Sequence, residues 1–86
     1  TGVQTCALPI SFVDVEQGKT LPEHSHMHQQ VSMVLEGEFE LTVDGIPYLL
    51  KQGDVFLIPP HTKHSGYATM DAQLLDVFYP EREDYK

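Results

Sequence analysis

Residues 24–30 read His-Ser-His-Met-His-Gln-Gln, which places three of the chain's five histidines at alternate positions and closes on two amides. In an extended chain, side chains two apart share a face, so His24, His26, His28 and Gln30 are expected to look the same way. Imidazole suits divalent transition metals, and a reactive metal site holds about three protein ligands with one position left open. The second half of such a site lies in Gly53-Asp-Val-Phe-Leu-Ile-Pro-Pro-His-Thr-Lys-His64, an apolar strand brought to a Pro-Pro stop. Any one of these histidines taken alone reads as a solvated loop residue. Taken together, His24, His26 and His64, with the Gln30 carbonyl oxygen as fourth donor, form a candidate ligand set for one divalent ion: zinc, nickel, manganese, iron or copper. His28 shares their parity but falls where such a strand bends, which assigns it to the rim. Gln29 is the alternative amide if the strand slips by one residue, because a slip exchanges the faces.

Three neutral imidazoles and a neutral amide leave the charge of a divalent ion uncompensated. That favours Lewis-acid chemistry, polarising a substrate carbonyl or hydroxyl or lowering the pKa of bound water, and it favours an anionic ligand. The strand Leu74-Leu75-Asp76-Val77-Phe78-Tyr79 adds an acid in an apolar setting. A carboxylate is costly to bury unless paired or used, so Asp76, with Phe78 beside it, is a candidate general acid or base. The alternative is an acid that accepts hydrogen bonds at a barrel rim. Arg82, the only arginine, carries the planar fork that clamps carboxylates, although Glu81-Arg82-Glu83-Asp84 equally describes a solvated tail. Tyr48, Lys63 and Tyr67 fit a pocket wall and an ordinary surface alike.

The elements that must position these groups are strands. Ile10–Glu16 has the β-branched and aromatic content of a half-buried strand, ended by Gln17-Gly18-Lys19. Residues 30–36 form a mostly apolar strand, and Gly37 turns it into Glu38–Val43, where Phe39, Leu41 and Val43 alternate with polar residues, one face buried and one wet. Asp44-Gly45 signals a hairpin, and Pro47 puts the returning strand at an edge or bulge. Residues 53–58 form a strand that Pro59-Pro60 stops, and Gln73–Tyr79 is the last, stopped by Pro80. No stretch keeps a helical period, and no internal repeat or domain linker is evident. Many short strands with Gly and Pro turns specify an all-β sandwich or barrel.

Eighty-six residues make one small domain, of a size often helped by a metal or by oligomerisation. The formal net charge of −8 leaves no basic stripe for phosphate backbones, which argues against nucleic acid and anionic membrane surfaces as partners. The single cysteine, Cys6, cannot form an internal disulfide. No apolar run approaches the ~20 residues that cross a bilayer, and residues 1–10 lack the plan of a signal peptide. The expected setting is soluble and cytoplasmic.

The spacing Gly18, five residues, His24-x-His26, three residues, Gln30, six residues, Gly37 resembles the first cupin motif, with Gln where Glu is usual. Gly53, five residues, Pro59, then His61 and His64 resembles the second, with His61 in place of the usual Gly and Ala68 where an Asn often stands. The resemblance implies a cupin-type jelly-roll β-barrel, a double-stranded β-helix, and a homodimer. Residues 1–10 resemble a translated sequencing-adapter segment, so a non-native leader is expected there, with no role for Cys6. Residues 11–86 would then be a single cupin domain truncated at its N-terminus.

The segment from Asp76 to Tyr85, with His-x-His and Gln in the first motif, is similar to the small pectin- and alginate-degradation cupins, which open the ring of 4,5-unsaturated monouronates to linear keto acids. The resemblance implies an anionic sugar substrate, with Arg82 binding the uronate carboxylate, Asp76 moving a proton, Phe78 in the site, and the metal holding the sugar oxygens. His61 for Gly would narrow the mouth, and missing N-terminal strands would open the enclosure. Two other readings of such a chain are an iron-dependent cupin dioxygenase and a non-catalytic cupin that binds a sugar or effector.

Overall fold

The computed structural model describes residues 10–79, which form eight strands: β1 (Ile10–Val15), β2 (Thr20–His24), β3 (Gln29–Glu36), β4 (Glu38–Val43), β5 (Ile46–Lys51), β6 (Val55–Ile58), β7 (His64–Ala68) and β8 (Ala72–Tyr79). Among these residues there is no helix, and so none long and apolar enough to cross a membrane. All pairings are antiparallel and nested: β4 with β5, β3 with β6, β2 with β7 and β1 with β8. The chain is thus one long hairpin rolled over itself. Cross-pairings of β3 with β8 and of β4 with β7 close it into two sheets, β1-β8-β3-β6 and β2-β7-β4-β5. This is the jelly-roll barrel that the strand pattern and the motifs imply.

The hairpin starts from local chemistry. Asp44 and Gly45 have φ of 53° and 83°, the paired positive values of a type I′ turn whose twist matches its strands. From that turn Phe39, Leu41 and Val43 of β4 fall on the inner face, all buried, and Leu50 of β5 joins them. Pro47 pairs with Thr42 on β5, the edge strand of its sheet, where a missing N–H costs no ladder bond. From the other sheet Val15, Val34, Ile58, Ala72 and Leu74 complete the core. At Gly66 of β7 a Cβ would run into the Phe39 ring, so the absence of a side chain there makes room for the buried phenyl group.

The outer faces of the two sheets differ. On the β1-β8-β3-β6 sheet, register sets Ile10, Val77, Val31 and Leu57 in one transverse row and Phe12, Leu75, Met33 and Val55 in the next. At the two edges Ile10, Phe12, Val55 and Leu57 are each more than half exposed. The outer face of the other sheet is mixed, carrying Glu38, Glu40, Thr42 and Lys51 together with the exposed Leu49 and Tyr67.

Candidate metal centre

The three histidines meet at one mouth of the barrel, by a route different from the expected one. His24 ends β2, residues 25–28 are irregular, and β3 begins at Gln29. The His-x-His segment is therefore a crossing between the two sheets and not one strand face. Parity does not align the rings; the turn of the chain does. His64, first residue of β7, lies directly across from His24 in the ladder, and the ring centroids of His24 and His26 lie 4.3 and 5.1 Å from that of His64. One ligand atom from each ring falls within 4.8 Å of the others. His28 is outside this group, and Gln30 is buried on the inner face of β3.

Each ring is held the same way. His24 Nδ1 donates to the Pro22 carbonyl at 2.8 Å, His26 Nδ1 to the His28 carbonyl at 3.0 Å and His64 Nδ1 to the Thr62 carbonyl at 2.9 Å. A carbonyl oxygen only accepts, so each Nδ1 carries the hydrogen and each Nε2 of a neutral ring presents its lone pair. The Nε2 of His64 is buried with no hydrogen-bond partner, and an orphaned buried acceptor is costly. His26 Nε2 faces Gln30 Oε1 at 3.0 Å, two acceptors that call for a positive species between or beside them. Lone pairs converging from anchored rings fit a divalent metal ion. His24, His26 and His64 thus form a group able to hold one.

Behind the histidines lies a cavity of about 230 Å³ lined on its floor by Val34, Phe39, Leu41, Leu50 and Leu74 and on one wall by Gln30, Ser32, Asp76 and Phe78. Asp76 lies opposite Ser32 in the ladder and Phe78 opposite Gln30. Ser32 Oγ donates to Asp76 Oδ1 at 2.7 Å, and the Phe78 ring stands edge-on to His26 at 5.5 Å. Asp76 and Phe78 are therefore in the site, next to the candidate ligands. Arg82 lies outside the described residues, as do Cys6 and most of the expected leader. Tyr48, Lys63 and Tyr67 are not part of the cavity wall: Tyr48 packs on Phe56 at 4.7 Å. His61 has φ of 62°, the left-handed region where glycine is favoured, and its N–H donates to the His26 carbonyl at 2.7 Å. The usual glycine of the second motif has its physical reason there.

Four contributors escaped the sequence reading, one side chain and three backbone carbonyls. Ser32 shares the parity of Gln30, a signal that was there to be read. The carbonyls of Pro22, His28 and Thr62 have no signal, because a backbone oxygen has no residue type.

Burial holds the His64 imidazole below the 6.5 of a free ring; the Thr62 hydrogen bond opposes this, His24 and His26 add to it, and Asp76 opposes it. The unfolded chain therefore binds the His64 proton first. The metal-free protein is expected to keep this part of its stability above pH 6.5 and to lose it as the pH falls from there toward the lowered value. Urea midpoints of chelator-treated protein between pH 7.5 and 5.5 should fall in that window, and a flat profile would refute the assignment.

Residues 11–78 match the cupin domain. The chain belongs to the cupin family. Among relatives, this cupin is 31 % identical over 64 residues to the pectin degradation protein KdgF of Dickeya dadantii, covering 72 % of the present chain and 58 % of that protein. It is 45 % identical over 51 residues to the quercetin 2,3-dioxygenase of Bacillus subtilis, covering 57 % of this chain but 15 % of the enzyme. Among solved structures, KdgF from a Halomonas species superposes with a TM-score of 0.79 at 33 % identity, over 90 % of this chain and 72 % of that one. The cupin thus spans little more than half of the Dickeya protein, and it resembles the cupins of pectin degradation in both sequence and fold.

Proposed function

We propose that this cupin holds one divalent transition metal ion through His24, His26, His64 and the Gln30 carbonyl oxygen, and that it opens the ring of a 4,5-unsaturated monouronate. The observation that carries the reading is a wall on which Asp76 and Phe78 stand beside the grouped His24, His26 and His64 rings, in a chain similar to a pectin degradation protein. A metal ion there supplies Lewis-acid polarisation of a sugar oxygen.

The chain's own residues do the rest. Ring opening of such a sugar removes the proton of the hemiacetal hydroxyl and breaks the bond between the anomeric carbon and the ring oxygen. The bond's electron pair stays on the ring oxygen, and the resulting enol is protonated on carbon to give the keto acid. No atom is gained or lost, so the protein need only move protons. Asp76 Oδ1 is committed to the Ser32 hydroxyl, which leaves Oδ2 to exchange the proton. Phe78 and the apolar floor keep bulk water from the reacting oxygens, and Arg82 is assigned the uronate carboxylate.

Proton NMR of a 4,5-unsaturated galacturonate mixed with metal-loaded protein tests this directly. The vinyl signal is expected to disappear faster than the spontaneous rate, and more slowly with Arg82→Ala. No acceleration by folded, loaded protein would end the proposal. The similarity to quercetin 2,3-dioxygenase favours one second reading, a dioxygenase using iron, for which oxygen uptake by the iron-loaded protein is the sign.

The assembly proposed is a homodimer through the outer face of the β1-β8-β3-β6 sheet. A chain of net charge −8 repels its copies, and the two apolar rows give it an uncharged face on which to meet one. Sedimentation is expected to give a dimer for the native chain and a folded monomer for Phe12→Glu with Val55→Glu. A native monomer at high micromolar concentration would refute it.

A further inference from the structure

A glutamine at a metal site has a difficulty that a glutamate lacks. Its amide ends in an oxygen that can bind a cation and a nitrogen that cannot, and the two ends are nearly the same shape. Something must decide which end faces the imidazoles. The ladder offers no help: the residues across from Gln30 are Phe78 on one side and Ile58 on the other, both apolar. The side chain has two polar neighbours, His26 at one end and Ser32 at the other.

We infer that Ser32, held by Asp76, is a positioning residue that turns the Gln30 amide so that its oxygen faces the histidines. The inference rests on the reading of Gln30 as a metal ligand. Its logic runs from the carboxylate outward. An ionised carboxylate oxygen only accepts, so at 2.7 Å from Asp76 Oδ1 the Ser32 hydroxyl must spend its one hydrogen there. What the Ser32 Oγ has left is lone pairs. Gln30 Nε2 lies 2.8 Å from it, and only the amide's NH₂ end satisfies that contact. Oε1 is thereby sent to the other end, 3.0 Å from His26 Nε2. That ring nitrogen has its own lone pair, because Nδ1 donates to the His28 carbonyl.

Every hydrogen in the chain thus points from Gln30 toward Asp76, and every lone pair at the far end points toward the histidines. Gln30 and Ser32 are both 6 % exposed, so water has little access to rearrange the chain. Remove the Ser32 oxygen and the amide is free to present its N–H groups to the imidazoles. The polarity also explains why an amide suits this position: with a carboxylate at 30, two acids would compete for the single Ser32 hydrogen.

The test is a Zn²⁺ titration by calorimetry of metal-free native protein, Gln30→Ala, Ser32→Ala, Gln30→Glu and the Ser32→Ala/Gln30→Glu pair. Loss of a partner that orients a ligand typically weakens metal binding about 10- to 100-fold, and Ser32→Ala is expected to do so in the native background. A carboxylate presents an oxygen whichever way it turns. In the Gln30→Glu background the same Ser32→Ala change is therefore expected to alter affinity by no more than about twofold, the scatter of independent sites. Rescue of this kind is not the behaviour of a residue that merely supports the barrel. Equal weakening by Ser32→Ala in both backgrounds overturns the inference. So does an effect of Gln30→Ala with none of Ser32→Ala, which leaves Gln30 a ligand but oriented otherwise. If Gln30→Ala itself changes nothing, the ligand reading fails and takes the inference with it.

Discussion

His64→Ala is expected to abolish Zn²⁺ binding in the concentration range where the native chain is saturated, a loss larger than the about 100-fold that removing an orienting partner produces. Of the three histidines, His64 is the buried one, 4 % exposed, while His24 is exposed and His26 intermediate. Its Nε2 is the atom with no partner. A metal ion satisfies that nitrogen, and no water or alternative ligand replaces it cheaply. The same fact predicts an asymmetry in stability. In the metal-free state the orphaned nitrogen costs about 1–3 kcal/mol, so truncation removes a penalty as well as a side chain. The metal-free melting temperature should change little. The stabilisation that Zn²⁺ confers, about 2.7 kcal/mol at a concentration 100 times Kd, should vanish. Melting curves of native and His64→Ala protein with and without Zn²⁺ read both effects. Full metal occupancy in the variant would show that the second motif supplies no ligand.

That His64 can be singled out depends on the fold, since in the sequence it is one of two histidines after Pro60. What the sequence does specify is the strand framework. β4 is legible because Phe39, Leu41 and Val43 alternate cleanly, and the Asp44-Gly45 turn is legible because both residues favour positive φ. β2 is not: Thr20-Leu-Pro-Glu-His24 contains a proline, does not alternate, and is mostly exposed. Overlooking it is what makes His24–Gln30 look like a single strand. The grouping of His24, His26 and His64 survives that error because the spacing of the motif reflects where the chain must cross between sheets, and a crossing brings side chains together by its path rather than by parity. The Ser32 link depends on register: only the alignment of Ser32 with Asp76, forty-four residues away, reveals it.

Asp76→Asn should separate binding from turnover. With its oxygen toward Ser32, as Asp76 Oδ1 is, the asparagine accepts the Ser32 hydroxyl and keeps the polarity of the chain that holds Gln30, and in that orientation Zn²⁺ affinity is expected to stay within about twofold. The other carboxylate oxygen becomes an NH₂ group, which cannot take up a proton at any working pH. A positioned general base contributes about 10²- to 10⁴-fold, and loss of ring opening on that scale is expected by the vinyl NMR signal. The cavity wall makes the replacement conservative in shape, since Asp76 stands between Leu74 and Phe78 on one face of β8, half-buried and in contact with Ser32. Retained turnover in a metal-loaded Asp76→Asn protein would move the proton transfer to another group. Loss of turnover together with loss of Zn²⁺ would make Asp76 a support of the metal centre and not the base. Only loss of turnover with the metal still bound assigns Asp76 the proton.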